Sequence, residues 1–375
     1  MKVLVIFGTR PEAVKCFPVV QELRKLNGVD VRVCVTAQHR HMLDQILNLV
    51  EIEPDYDLNL MRAQSSLTDL TNDVLSALGE VLMRESPDRI LVQGDTTTSM
   101  AAALAAFYRK IPVGHIEAGL RSWNNYSPWP EEVNRRIVST IADLHFAPTI
   151  QARDNLLKEN VAPDRVYVTG NTVIDALLEI RKRLTNYKHC STALASILQA
   201  ARLAGRRILV VTSHRRENWG AGVAEICRAI RAIANRGDVE IVFPLHLNPS
   251  IQVPVREALG QHPHINLFDP LDYLPFVALM EASYLILTDS GGVQEEAPAL
   301  GKPVLVLRDT TERPEGIAAG NARLVGVSAE RIITEARRLL DDPVQYSVMS
   351  QSHNPYGDGR AAARIAKHVL GWFPH

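Results

Sequence analysis

The sequence has little net charge and no long apolar run. Its 375 residues carry a net charge of −1, so no global basic field is present to hold nucleic acid or an anionic membrane surface. No stretch approaches the roughly 18 consecutive apolar residues that a membrane span needs. The apolar run at positions 3–7 is too short for the core of a signal peptide. We therefore expect a soluble cytoplasmic protein that binds no nucleic acid and no membrane.

Cysteine is scarce, and the motifs of common cofactors are absent. The four cysteines form no C-x-x-C pair and lie within or near apolar segments, which is typical of buried reduced thiols. Neither G-x-G-x-x-G nor G-x-x-x-x-G-K-[ST] occurs, so a fixed NAD and an ATP P-loop are not expected. Two H-x-H patterns, at 39–41 and 262–264, lack a companion motif such as H-E-x-x-H. We expect neither a metal nor another cofactor.

The pattern of apolar residues predicts two α/β domains. At 46% hydrophobic side chains the chain can form two cores, since single cores stop growing at roughly 250–300 residues. Short β-branched runs alternate with helical patterns, which is typical of parallel sheets with crossover helices. The first set of predicted strands is Lys2–Phe7, Val31–Thr36, Arg89–Val92, Pro112–Ile116 and Val166–Thr169. The second set is Arg206–Thr212, Glu240–Pro244, Tyr284–Thr288 and Pro303–Leu307.

These elements predict two Rossmann-like domains facing a central cleft. The expected domains are 1–170 and 171–357, with the C-terminal segment 358–375 packing back on the first domain. The boundary is placed at Gly170-Asn171-Thr172, where a strand gives way to a helix, and 183–205 is expected to be a helical linker. Ligands bind beyond the carboxyl ends of strands in open α/β sheets, so the loops there are where chemistry is expected.

Polar residues follow several strands of the first domain. Arg10 and Lys15 suit either a solvated helix start or a phosphate site, because a helix dipole and a cation act together there. Asp95 suits either a helix cap or chemistry. Glu117 follows an apolar strand among small residues, and a carboxylate in a dry cleft is expected to have a raised pKa suited to acid or base work. Glu131 suits either this work or an early-helix acid.

The second domain offers a phosphate site. A strand that ends in Asp-Ser-Gly-Gly and opens a helix presents backbone N–H groups to a diphosphate, here around Ser290–Gly292. Glu296, on that helix, is placed to accept hydrogen bonds from ribose hydroxyls. The alternative is an ordinary glycine-containing turn. Arg313 is either a surface cation or a second anchor.

Eight segments, in matching order over residues 1 to about 370, together resemble the non-hydrolysing bacterial UDP-N-acetylglucosamine 2-epimerases. They are Phe7–Ala13, Thr36–Arg40, Gly94–Thr98, Gly114–Arg121, Pro128–Glu132, Thr288–Pro298, Arg308–Pro314 and Asn354–Gly359. The resemblance implies the glycosyltransferase-B fold, a homodimer, and supply of UDP-N-acetylmannosamine for surface polysaccharide. It also implies anti elimination of UDP to a 2-acetamidoglucal intermediate, followed by re-addition of UDP.

The resemblance further implies roles for single residues. Asp95, Glu117 and Glu131 match the acid/base group, with no assignment of which one takes the carbon 2 proton. His214 matches the residue that steadies the departing diphosphate. The positions that match UDP-sugar contacts are Arg10, Lys15, Ser290, Gly291, Gly292, Glu296 and Arg313, and those near the uracil are Leu271 and Phe276.

Some members of the resembled family need a second UDP-N-acetylglucosamine as an activator. Gln38, Glu131 and His246 match that allosteric site, whereas positions 41, 64 and 65 depart from its pattern. Three other functions remain open at this point: a glycosyltransferase of the same fold, a hydrolysing epimerase, and a non-catalytic nucleotide-sugar sensor.

Overall fold

A computed structural model describes residues 1–37, 40–60, 66–184, 192–215 and 218–371. The chain divides into two compact units. Unit 1 comprises Met1–Ala176 and Tyr356–His375, and unit 2 comprises Leu177–Pro355. The chain first passes from unit 1 to unit 2 within a single helix. This point lies a few residues beyond the domain boundary expected from the sequence.

Unit 1 is built on a parallel sheet, which has seven strands within the described residues. Its order is β3-β2-β1-β4-β5-β6-β7, and every neighbouring pair is parallel. The apolar strands β1 and β4 lie side by side at the centre and are almost wholly buried. The strands are β1 (Lys2–Phe7), β2 (Asp30–Val35), β3 (Tyr56–Asp57), β4 (Arg89–Gln93), β5 (Val113–Ile116), β6 (Leu144–Ala147) and β7 (Val166–Val168).

Helices connect the strands of unit 1 and cover its sheet. They are α1 (Arg10–Arg24), α2 (Arg40–Leu49), α3 (Leu67–Glu85), α4 (Thr97–Phe107), α5 (Glu131–Ile141), α6 (Ile150–Lys158) and α7 (Thr172–Leu184), the last of which continues into unit 2. A capping box of Thr9 and Glu12 starts α1, which fixes its N-terminus directly after β1. The alanine-rich α4 packs closely between α3 and α5, because small side chains allow close helix approach.

Unit 2 repeats the plan with a six-stranded parallel sheet in the part of the chain described. Its order is β10-β9-β8-β11-β12-β13, the same pattern as the first six strands of unit 1. The strands are β8 (Arg207–Thr212), β9 (Val239–Pro244), β10 (Ile265–Phe268), β11 (Leu285–Thr288), β12 (Val304–Val306) and β13 (Ala322–Leu324). The helices are α8 (Thr192–Leu203), α9 (Ala221–Ala234), α10 (Pro249–Leu259), α11 (Tyr273–Ala282), α12 (Gly291–Ala299), α13 (Pro314–Ala318), α14 (Ala329–Asp341) and α15 (Pro343–Ser350).

The chain returns to unit 1 at Tyr356 and ends in α16 (Ala361–Gly371), which packs against α1. Asp175 on α7 accepts hydrogen bonds from the first two N–H groups of α16, at 3.1 and 2.9 Å. Burial raises the pKa of Asp175 to about 6 against the lowering effect of these bonds. Asp175 therefore joins the departing helix of unit 1 to its returning one.

The described residues show neither a membrane-spanning helix nor a cluster of metal-ligating side chains. Among the residues placed by the structure, no helix combines the length and apolarity needed to cross a bilayer. Over the same residues, no group of three or more histidine, cysteine or acidic side chains is arranged to hold a metal ion.

Candidate active site

Both sheets carry their polar loops at the point where strand order reverses. In unit 1 that point lies between β1 and β4, which are followed by Arg10 and Asp95. In unit 2 it lies between β8 and β11, which are followed by His214 and Ser290. Ligands of doubly wound sheets bind at this topological switch point. The predicted site residues therefore lie at the expected edge of each sheet.

Glu117 is the most constrained side chain of the unit 1 site. It directly follows β5 with φ +63°, a left-handed conformation that non-glycine residues rarely adopt and that is common at functional sites. It is 9% exposed. Lys15 forms an ion pair with its Oε1, Gln93 donates to its Oε2, and Asn171 Nδ2 donates to Oε1 at 2.9 Å. These donors favour the ionised carboxylate, which is the form a base needs.

Asp95 lies in the turn between β4 and α4, and it does not cap the helix. The cap is Thr96, whose Oγ1 accepts from the N–H of Ser99 at 3.1 Å, so capping is excluded as the explanation of Asp95. Asp95 instead forms an ion pair with Arg135 on α5, with 2.5 Å between Nη2 and Oδ2. Its side chain keeps 27% exposure, so the carboxylate remains accessible.

Glu131 is the first residue of α5, as the early-helix alternative predicts, yet its carboxylate is not used as a cap. Pro130 is the N-cap residue, and no side chain caps the helix. Within the described residues, Oε2 of Glu131 is buried and has no hydrogen-bond partner. A buried unsatisfied carboxylate oxygen is costly and calls for an explanation, and a ligand donor is one.

The neighbouring Glu132 holds the loop that precedes α5. It is fully buried and accepts hydrogen bonds from the N–H groups of Ser122 and Trp123, at 2.9 and 3.1 Å. Arg135 lies 3.4 Å from Glu132 and also contacts Asp95. The start of α5 is thereby fixed relative to the turn after β4, which places Glu131 and Asp95 on one rigid framework.

Glu12 is a structural residue of the same edge. It accepts from the N–H groups of Gly8 and Thr9 at 3.0 and 2.8 Å, and from the hydroxyls of Thr96 and Ser99 at 2.6 and 3.0 Å. Burial raises its pKa, and these hydrogen bonds act in the opposite direction. Glu12 therefore ties the loop after β1 to the start of α4. Arg10, at the first position of α1, is half-buried.

A neutral histidine supports the turn that carries Asp95. Burial lowers the pKa of His115 to about 3, so its ring is uncharged at neutral pH. Its Nε2 donates to the carbonyl of Gly94 at 2.7 Å. His115 therefore positions the turn without adding charge to it.

In unit 2, Asp289 organises the loop after β8. This fully buried carboxylate accepts from Nδ1 of His214 at 2.9 Å and from the backbone N–H groups of His214 and Arg215 at 2.9 and 3.0 Å. Asn218 Nδ2 also donates to it, at 3.0 Å. Burial acts to raise the pKa of Asp289, but the hydrogen bond and charge of His214 outweigh it, and the pKa is lowered. With Nδ1 held, Nε2 of His214 faces away from the carboxylate.

The predicted phosphate site occupies the N-terminus of α12. The helix begins after Ser290, whose side chain makes no capping hydrogen bond. A Cβ placed on Gly291 would lie 3.3 Å from the guanidinium carbon of Arg313, so the cation sits beside the helix start. Helix N-termini attract anions, and the added cation strengthens this. Arg313 is itself held by Glu295, with 2.8 Å between Nε and Oε1.

Glu296 lies one turn into α12. It is 6% exposed and accepts a hydrogen bond from the hydroxyl of Tyr273 at 2.6 Å. A Cβ on Gly292 would lie 3.9 Å from its Oε2, so the carboxylate is directed to the helix start. Leu271 and Phe276, the two positions expected near the uracil, are half-buried. Leu271 lies just before α11 and Phe276 lies within it.

The proposed allosteric residues are only partly placed. His246 lies beside His214, with ring centroids 6.2 Å apart. Burial and the neighbouring His214 lower its pKa. Gln38 and the departing positions 64 and 65 lie outside the described residues, as does the side chain of position 41.

Comparison with known proteins decides the family. The family model described as UDP-N-acetylglucosamine 2-epimerase matches residues 21–370. A UDP-N-acetylglucosamine 2-epimerase of Escherichia coli K12 is 53% identical over 366 residues, which are 97% of each chain. The chain belongs to the UDP-N-acetylglucosamine 2-epimerase family.

Solved structures of this family agree with the fold. The Neisseria meningitidis enzyme, bound to UDP-GlcNAc, superposes with a TM-score of 0.91 at 50% identity and covers 99% of this chain and 100% of its own. The Methanocaldococcus jannaschii enzyme, in complex with UDP-GlcNAc and UDP, gives 0.83 at 33% identity over 99% and 100%. The predicted α/β class with two Rossmann-like domains of the glycosyltransferase-B type is confirmed, and so is the resemblance to epimerases.

The sequence did not indicate several residues that hold the side chains of the site in place. Gln93 and Asn171 contact Glu117, Arg135 contacts Asp95, and Asp289, noted only as part of a motif, anchors His214. The available signals were that Gln93 ends an apolar strand and that Asn171 lies in the turn between a strand and a helix.

Proposed function

We propose that this chain interconverts UDP-N-acetylglucosamine and UDP-N-acetylmannosamine by inverting carbon 2, as a non-hydrolysing epimerase. The observation that carries the proposal is the carboxylate arrangement of unit 1: Glu117 held by three donors, Asp95 held by Arg135, and Glu131 with an unsatisfied buried oxygen. Family membership supports the substrate, because relatives of this family are named for it or bound to it.

The chemistry explains why several carboxylates are needed. The proton at carbon 2 is weakly acidic, so a positioned base must remove it while UDP leaves from carbon 1. This anti elimination forms the double bond of a 2-acetamidoglucal. Reprotonation from the opposite face then needs an acid, and UDP adds back to carbon 1. Glu117, Asp95 and Glu131 are the proposed acid/base group, with the individual steps unassigned.

Departure of UDP requires stabilisation of a diphosphate. The N-terminus of α12 with Ser290, Gly291 and Gly292 supplies N–H groups and a favourable dipole, and Arg313 adds a cation. His214, whose Nδ1 donates to Asp289, is the proposed donor through Nε2 in its protonated form, in which both ring nitrogens carry hydrogen. Arg10 is proposed as a further phosphate contact, and Lys15 as a sugar contact that also holds Glu117. The nucleoside is proposed to lie near Leu271 and Phe276, with its ribose bound by Glu296.

The cycle needs no oxidant, because UDP itself leaves and returns and carbon 2 is deprotonated and reprotonated without a change in oxidation state.

We propose that the product supplies surface polysaccharide synthesis and that the enzyme is a homodimer. Light scattering of the purified chain tests the second statement, and a monomer mass would contradict it.

One experiment separates the proposal from its rivals. The chain is incubated with UDP-N-acetylglucosamine and no acceptor, and the products are followed by proton NMR. The proposal predicts a mixture of the two UDP-sugars. Free N-acetylmannosamine would identify a hydrolysing epimerase, and unchanged substrate would leave a transferase or a sensor.

We also propose an activator site for a second UDP-N-acetylglucosamine that involves Gln38, Glu131 and His246. It predicts that UDP-N-acetylmannosamine alone is a poor substrate until traces of UDP-N-acetylglucosamine are added. Ordinary hyperbolic rates with UDP-N-acetylmannosamine alone would contradict obligatory activation.

A further inference from the structure

Two amide side chains hold the two oxygens of Glu117 from opposite parts of unit 1. Asn171 Nδ2 donates to Oε1 at 2.9 Å, and Gln93 Nε2 donates to Oε2. Both residues are buried, at 2% and 3% exposure. An amide does not titrate, so its hydrogen bond is offered at every pH, and it stabilises the ionised carboxylate over the protonated one.

Asn171 is oriented by hydrogen bonds of its own. Its Oδ1 accepts from the N–H of Val173 at 3.0 Å at the start of α7, which assigns the other amide atom, Nδ2, to Glu117. Its backbone N–H donates to the carbonyl of Tyr356 at 2.7 Å. Asn171 is therefore fixed both by the helix that leaves unit 1 and by the segment that returns to it.

This placement joins Glu117 to the chain crossing. Only a few residues after Asn171 the chain enters unit 2, and Tyr356 is the first residue after its return. A Cβ on Gly170 would lie 3.4 Å from the Cα of Gly357. The segment that leaves unit 1 and the segment that returns to it are therefore in close contact within unit 1. The orientation of the carboxylate thus depends on residues far from it in sequence.

We propose that Asn171 and Gln93 are positioning residues that fix the orientation of Glu117 and keep it ionised for its proposed part in proton transfer at carbon 2. This inference rests on the proposed function, because it assigns a task to these amides only if Glu117 acts as an acid/base group. Neither residue need touch the substrate.

Other titratable groups contact Glu117 or act on it electrostatically. They include Lys15 and Cys16 of α1 and His115 of β5. Burial raises the pKa of Cys16 well above its usual value and lowers that of His115 to about 3, so both stay neutral from pH 5 to 8. A shift of the acidic limb of the pH profile in an amide variant is therefore not due to Cys16 or His115.

The test compares Asn171→Ala with Asn171→Asp. Asp is nearly isosteric and keeps an acceptor for the N–H of Val173, but it removes the donor and adds a like charge. Both variants are expected to lower kcat for deuterium exchange at carbon 2 by at least about tenfold, with KM within about threefold. The apparent pKa of the acidic limb of kcat is expected to rise by about one unit in Asn171→Ala and by more in Asn171→Asp.

Gln93→Ala is the second variant, since it removes the donor to the other oxygen and is expected to shift the limb in the same direction. Asn321→Ala is the matched control. Asn321 is equally buried and donates to the carbonyl of Ser352 in unit 2, so its variant should lose thermal stability without moving the pH limb.

Three outcomes are distinguishable. A wild-type limb and kcat in Asn171→Asp, with Asn171→Ala impaired, would reduce Asn171 to a helix cap and overturn the inference. Unchanged pH profiles of kcat in Asn171→Ala, Asn171→Asp and Gln93→Ala would overturn it as well. Absence of carbon 2 exchange in the wild-type chain would instead overturn the proposed function.

Discussion

At the scale of the residue, Asp289 shows how one buried carboxylate organises a site. It is fully buried, yet its pKa is lowered because His214 and several N–H groups stabilise the charge. A buried charge is tolerated only with such partners. The residue thus fixes both the loop after β8 and the direction of the His214 ring.

Asp289→Asn is expected to lower the free energy of unfolding by about 2–4 kcal/mol at pH 7, because an NH₂ group would face N–H donors. The lowered pKa of Asp289 means that its contribution is present above the usual value of 3.8 and is lost as pH falls through the folded value. The difference between wild type and variant should therefore shrink below about pH 4. Urea denaturation from pH 8 down to about pH 2 measures it.

The control for this prediction is Asp272→Asn. Asp272 is exposed and precedes α11 without a side-chain capping bond, so its variant should match the wild type at every pH. An Asp289→Asn difference that stays constant from pH 8 to about pH 2 would contradict the assignment of the effect to ionisation.

At the scale of the element, the loop after β5 is held closely against α6. Gly119 has φ +91°, and a Cβ there would lie 2.1 Å from the carbonyl oxygen of Ala152. Asn155 on α6 donates to the Gly119 carbonyl at 3.0 Å. The loop that presents Glu117 is thus anchored two residues beyond it, at a position only glycine fits.

Gly119→Ala is expected to destabilise the protein by more than about 3 kcal/mol, because both the positive φ and a backbone clash oppose it. Gly28→Ala is the matched comparison. Gly28 has φ +79° but nothing within 4 Å of an added Cβ, so only the backbone term of about 1–2 kcal/mol remains. Equal losses of thermal stability in the two variants would contradict the claimed packing of this loop.

The central residues of most strands and helices could be predicted from the sequence, but the contacts of single side chains could not. β1 was predicted at its observed bounds, Lys2–Phe7, because an apolar run with a clear turn after it is a local signal. The two-residue β3 and the short β6, β10 and β13 were missed, since their apolar runs are brief and interrupted. Thr96 rather than Asp95 caps α4, a choice between adjacent residues that propensity does not make.

The site was predictable as a set of strand-end residues, because parallel strands bring their carboxyl ends to one edge. The partners of Glu117 were not, since they lie 102, 24 and 54 residues away in sequence at Lys15, Gln93 and Asn171. Pairings over such distances follow from the assembled sheet and leave no periodic signal. The predicted raised pKa of Glu117 and the roles of the site residues stay predictions.

At the scale of the whole molecule, the account divides the work between the two units. Unit 2 is proposed to bind UDP, and unit 1 to move the carbon 2 proton. Glu296→Gln is expected to raise the Kd for UDP by about tenfold or more, since a hydrogen bond to a charged group contributes about 1.5–3 kcal/mol and 1.4 kcal/mol is tenfold. Isothermal titration measures it.

Glu117→Gln serves as the opposite case in the same titration. Its Kd for UDP should stay within about threefold of the wild type, because the sugar and not the nucleotide is its proposed target. A weakened affinity in Glu117→Gln with an unchanged one in Glu296→Gln would reverse the proposed division.

Proton transfer at carbon 2 by a carboxylate of unit 1 is measured by deuterium exchange. Wild type and Glu117→Gln are incubated with UDP-N-acetylglucosamine in D₂O, and carbon 2 is followed by NMR. The account predicts deuterium at carbon 2 of both UDP-sugars with wild type and a rate at least about 10²-fold lower with Glu117→Gln. Epimerisation without deuterium at carbon 2, or an undiminished rate in the variant, would contradict it.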